Sequence, residues 1–169
     1  MRERGAIEAA VRPLEVNCGM ITAIRKATSA DMPMLWHIRQ QSILQLAPQG
    51  MSIAESQKWA GNLPIHRMEN RFQDAQLWIA ESDGRAVGWI ALRGNYIDGL
   101  YTHPHFAGRG VGSGLLAFAE SFLKERGIEV VRLDSSVNAE EFYLHRGYEL
   151  TGGPPERGAG IPLVKRIIS

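Results

Sequence analysis

The chain has 169 residues, and 19 Lys plus Arg against 18 Asp plus Glu leave a net charge of +1. An apolar fraction of 44% with 22% charged residues fits one packed domain and argues against a disordered chain. Near-neutral charge without a basic run disfavours a nucleic-acid partner, and no apolar run approaches the roughly 18 residues of a membrane span.

The single cysteine, Cys18, can close no internal disulfide, which fits a reducing, cytoplasmic setting. Residues 1–20 read as an N-terminal extension, or as a helix packed on the domain; residues 21–169 read as one domain. Ile21–Arg25 alternates as a short edge strand would. Ser29 or Asp31 can cap a helix with Pro33 in its first turn and a stripe of Leu35, Ile38, Ser42 and Leu46. Ser52 and Glu55 form a capping box that opens a second helix through Trp59.

Gln76–Glu81 and Arg85–Leu92 flank Ser82-Asp83-Gly84, a strong hairpin signal. Gly94-Asn95 turns the chain again into a strand at Ile97–Thr102. Val111, Leu115, Phe118, Ala119 and Phe122 mark an amphipathic helix, with Gly127 past its end. Val130–Leu133 is a strand, Asn138–His145 a helix, and Tyr148–Leu150 and Leu163–Ile168 two final strands. The order β-α-α-β-β-β-α-β-α-β-β predicts an α+β sandwich around one mixed, mostly antiparallel sheet of about seven strands, with about four helices.

A strand, a glycine-dense turn and a helix start together make an anion site. In the segment Gly108-Arg109-Gly110-Val111-Gly112-Ser113-Gly114, bare glycines let backbone N–H groups converge. The helix start adds free donors and partial positive charge. No Lys occurs there, which excludes a P-loop, and the glycine spacing fails the dinucleotide fingerprint. No Cys/His spacing suggests a metal; His103 and His105 beside Pro104 read as solvated loop residues.

The segment Ile97–Tyr148 resembles the GCN5-related N-acetyltransferase superfamily. The likeness rests on Leu100-Tyr101-Thr102-His103-Pro104 followed by Gly110-x-Gly112, and on Ser136-Val137-Asn138-Ala139, Phe142-Tyr143 and Gly147-Tyr148. It implies that fold and an acetyl-CoA cosubstrate. The amides of Arg109, Gly110, Val111, Gly112, Ser113 and Gly114 would hold the pyrophosphate. The pantetheine arm would lie along Leu100, Tyr101 and Thr102, as an added strand does, with Ser136 and Asn138 on its other side. The superfamily usually has Gln or Arg where this chain has Ala107, a departure that weakens any side-chain contact there.

The resemblance further implies direct attack by an amine, with Tyr143 as general acid and Asp98 as base, directly or through water. The acceptor is expected to be a small-molecule or peptide amine, seated near Trp36, His37, Met51, Trp59 and the loop Gly152–Gly160. A homodimer is compatible with the family. The alternative is a non-catalytic acyl-CoA-binding or regulatory domain on the same fold.

Overall fold

A computed structural model describes residues 20–168; Cys18 and the extension before Met20 lie outside the described residues. The strands are β1 (Ala23–Lys26), β2 (Gln76–Ser82), β3 (Arg85–Arg93), β4 (Tyr96–Thr102), β5 (Val130–Ser135), β6 (Glu149–Leu150) and β7 (Ile161–Arg166). The helices are α1 (Met32–Leu46), α2 (Ile53–Gly61), α3 (Met68–Arg71), α4 (Val111–Lys124) and α5 (Glu140–Leu144). One sheet carries the strands in the order β1-β2-β3-β4-β5-β7-β6. Only β4 and β5 run parallel; the other neighbours are antiparallel. The predicted α+β architecture is therefore present, with five α-helices among the described residues rather than about four. None of these helices is long and apolar enough to cross a membrane.

Both faces of the central strands are covered, so β2 and β3 read as nearly continuous apolar runs. Trp78, Ala80, Ile90 and Leu92 pack with the α4 stripe. Leu77, Ile79, Trp89 and Ala91 pack under α1 with Leu35, Ile38 and Met68. The β2–β3 turn places Asp83 and Gly84 at φ 50° and 80°, the left-handed pair that a two-residue hairpin requires. All five stripe residues expected on α4 are buried.

Several local expectations are corrected. On α1 the buried face is Leu35, Ile38, Arg39 and Ile43, not Ser42 and Leu46. Asp31 does not cap α1 with its side chain. Its carboxylate instead accepts from the Thr28 N–H at 2.8 Å and from Arg25, at 2.8 and 2.9 Å. Short α3 was not foreseen, because four residues show no periodicity. The expected helix at Asn138–His145 begins as a 3₁₀ turn, Val137–Ala139, before α5. The capping box of α2 is as expected: Ser52 N–H donates to Glu55 at 2.8 Å and Glu55 N–H to Ser52 Oγ at 3.1 Å.

Candidate active site

The site arises where the sheet splits. β4 pairs with β5 only at Tyr96↔Arg132 and Ile97↔Leu133, and beyond that rung β4 has no partner on its β5 side. On its other side Ala91 pairs with Gly99 and Leu92 with Ile97, so Asp98 is the extra residue of a β-bulge. A bulge bends the strand and re-aims its side chains. The divergence opens a cavity of about 620 Å³ whose wall includes Asp98, Leu100, Tyr101 and Ser136.

At the other end of β4 lies the helix start. Gly108 and Gly110 take left-handed φ values of 73° and 86°, which only glycine adopts without strain. Gly110, which has no side chain, is the N-cap of α4. Among the described residues no side chain accepts from the first-turn N–H groups of Val111, Gly112 and Ser113. A Cβ on Gly112 would sit 3.4 Å from the Phe142 ring and 3.6 Å from Thr102 Oγ1, so this residue seats α4 between β4 and α5. Arg109 is exposed, its guanidinium 5.9 Å from the Phe106 ring.

Arg146 is a residue that sequence reasoning passed over. Its guanidinium lies 3.8 Å over Phe142, donates from Nε to Ser113 Oγ at 3.1 Å, and has no carboxylate partner among the described residues. It places a fixed cation beside the α4 start. Its signal in the sequence is a basic residue directly after the helix expected at Asn138–His145.

The opposite wall includes Ser136 and Val137. Asn138, next along the chain, does not line the cavity; its Oδ1 is buried without a hydrogen-bond partner among the described residues. Behind it, a Cβ on Gly50 would stand 2.7 Å from the Asn138 backbone nitrogen. The loop after α1 thus touches Asn138 backbone to backbone. Gly50→Ala is expected to cost about 1–3 kcal/mol of stability and to shrink the rise in Tm caused by coenzyme A. Differential scanning fluorimetry with and without the nucleotide reads both; an unchanged variant would dismiss this contact.

Tyr143 is buried in the α4-side core, edge-on to Phe142 and Tyr148 at 5.0 and 5.5 Å. Burial, with a smaller contribution from Tyr101, pushes its phenol well above the ordinary tyrosine range, so it stays protonated at working pH.

Asp98 is a poor fit to a general base. Its side chain is only 2% exposed. Arg71 grips both oxygens at 2.7 and 3.0 Å, Arg93 donates at 2.6 Å, and Arg157 approaches to 3.4 Å. Burial alone would raise its pKa. The bonds from Arg71 and Arg93 outweigh burial and hold it below the usual carboxylate range. A carboxylate so stabilised is a weak proton acceptor, and the geometry fits an anchor for the three arginines instead.

The loop between β6 and β7 forms another part of the cavity wall. Asp134 accepts from Tyr96 Oη at 2.9 Å, from Arg157 N–H at 3.0 Å and from Glu156 N–H at 3.1 Å, fastening that loop over the end of β5. Met51 and Trp59 line the cavity as expected, with Ala159 and Gly160 of the loop. Trp36 and His37 do not; the Trp36 indole donates to Leu63 O at 2.8 Å. Among the described residues no three His, Cys, Asp or Glu side chains are placed to hold a metal ion.

The comparisons with known proteins agree with this geometry. The acetyltransferase (GNAT) domain model matches residues 42–167. An uncharacterised N-acetyltransferase, YafP of Escherichia coli, is 27% identical over 75% of this chain and 80% of its own length. The crystal structure of a GCN5-related N-acetyltransferase from Rhodopseudomonas palustris superposes with a TM-score of 0.78 at 28% identity, covering 85% of this chain and 94% of that one. PaiA N-acetyltransferase from Thermoplasma acidophilum, solved with coenzyme A, shares the fold at a TM-score of 0.66 and 21% identity, over 85% of this chain and 97% of that one. The domain match spans most of the sequence, and the chain belongs to the GNAT family of N-acetyltransferases.

Proposed function

We propose that residues 21–169 form a single domain that moves an acetyl group from acetyl-CoA to a primary amine by direct attack. One observation carries the reading: β4 parts from β5 on the strand that leads into the glycine turn and N-terminus of α4. An unpaired strand edge and a helix N-terminus fit the two halves of coenzyme A, an amide-bearing arm and a diphosphate. Leu100, Tyr101 and Thr102 would receive the arm, with Ser136 and Asn138 opposite. The turn from Arg109 to Gly114 would hold the diphosphate, with Arg146 beside it. That PaiA, which shares the fold, was solved with coenzyme A supports acetyl-CoA as the cosubstrate.

Bound acetyl-CoA supplies the activated acetyl thioester. In the transfer the amine nitrogen gains the acetyl group and loses a proton, while the sulfur leaves and gains one. Tyr143, kept protonated by its burial, is the proposed proton donor to that sulfur. The proton leaving the amine goes to water rather than to Asp98, whose carboxylate is held by arginines. Positioning carries much of the rate; holding two reactants in line contributes roughly 7–11 kcal/mol.

Tyr143→Phe tests the chemical role. It is expected to lower kcat about 100-fold while coenzyme A raises Tm as much as in the parent chain. Thiol release against an amine panel, with melting curves, reads both. Full activity would remove Tyr143 from the chemistry, and nucleotide binding without turnover of any amine would favour a binding domain.

A further inference from the structure

The acceptor half of the cavity is unusually rich in arginine. Asp98, 2% exposed, is shared by Arg71, Arg93 and Arg157. Arg71 and Arg157 also line the cavity, as does Arg39 from α1. Arg39 is 5% exposed and donates only to neutral acceptors at 3.3–3.4 Å: Gln40 Oε1, Ala60 O and Trp59 O. The cavity wall therefore carries three guanidiniums, Arg39, Arg71 and Arg157, and two carboxylates, Asp98 and Asp134. Both carboxylates are already engaged: Asp98 by arginines, and Asp134 by Tyr96 Oη and the Glu156 and Arg157 amides. Neither is left to receive an ammonium group.

We infer that the acceptor is a small primary amine that also bears a carboxylate, seated against Arg157 and Arg71 with Arg39 on the facing wall. Planar guanidinium forks match a carboxylate in shape and charge. A polycation entering the same space meets like charge with no free acid to offset it. The surplus of positive charge also disfavours a protonated amine, and so favours the neutral nucleophile that transfer requires. The cavity of about 620 Å³ must also hold the pantetheine arm, and the space left over suits a small molecule. The inference rests on the acetyltransferase reading and names the acceptor for that site.

The test is acetylation kinetics with each protein amino acid and its carboxamide, alongside spermidine and a lysine-containing peptide with blocked ends. For at least one pair the free acid is expected to show a kcat/KM about tenfold or more above its amide, and above spermidine and the peptide. Arg157→Gln should cut kcat/KM for the acid about tenfold, chiefly through KM, and leave the amide unchanged; Arg157→Lys should restore part of the loss. The rise in Tm with coenzyme A serves as a check that the Arg157 variants remain folded. Amides or polyamines used as well as acids, or an Arg157→Gln loss that is absent or equal for acid and amide, would overturn the inference alone. No turnover of any amine, with coenzyme A binding intact, would overturn the transfer reading and this inference with it.

Discussion

Asp98→Asn is expected to destabilise the protein by about 2–3 kcal/mol. The carboxylate is buried while Arg71, Arg93 and Arg157 keep partial access to water, with side chains 36%, 20% and 43% exposed. Removing it leaves three guanidiniums crowded without a counter-charge. Breaking a fully buried pair costs about 3–5 kcal/mol, and partial hydration of the arginines lowers that figure. The sign with pH follows from the direction of the shift. A carboxyl whose folded pKa lies below its unfolded value contributes stability fully present above about pH 4. That contribution is lost as pH falls through the folded pKa. Urea midpoints from pH 3 to 7 should therefore fall at the acid end for the parent chain, and more shallowly for the variant. Equal stability and equal acid slopes would refute the anchor role and reopen Asp98 as a base.

Gly88→Val is expected to cost about 3 kcal/mol or more, the larger structural effect. A Cβ at this position would stand 2.8 Å from Tyr101 O, 2.8 Å from Val111 Cγ1 and 3.2 Å from Leu115 Cδ1. The Leu115 methyl is a side-chain end that can yield, but Tyr101 O is main chain of β4 and Val111, branched at Cβ, sits at the start of α4 with little freedom to turn away. The helix must lift from the sheet, and the nucleotide cradle moves with its start. Chemical denaturation should report the loss, with a diminished Tm response to coenzyme A. Gly88→Ala should fall between the two. A variant as stable as the parent would mean that α4 is not seated on this glycine.

What could be read beforehand follows the range of the interactions. The Asp83-Gly84 hairpin and the α4 stripe depend on neighbours within a few positions, so their residues announce themselves. The glycine turn and helix start at Gly108–Gly114 are legible for the same reason, being backbone features of one short segment. Asp98 is not, because its role is set by Arg71, Arg93 and Arg157, which reach it from the end of α3, the end of β3 and the β6–β7 loop. Arg39 carries no signal in the helix periodicity, yet tertiary packing buries it beneath the end of α2. Gly50 and Gly88 carried a weak hint, since glycine within or beside regular structure often marks close backbone approach. Which chain approaches them depends on contacts far along the sequence.

The grip of Asp134 on the Glu156 and Arg157 amides has an evolutionary corollary. It fixes the stretch above the cavity by main-chain atoms, which any residues at those positions would offer. Side chains there can drift, and acceptor preference with them, while the hinge to the sheet stays put. A graft of this stretch from a relative should therefore transplant selectivity as a cassette, provided that the aspartate beneath it is kept.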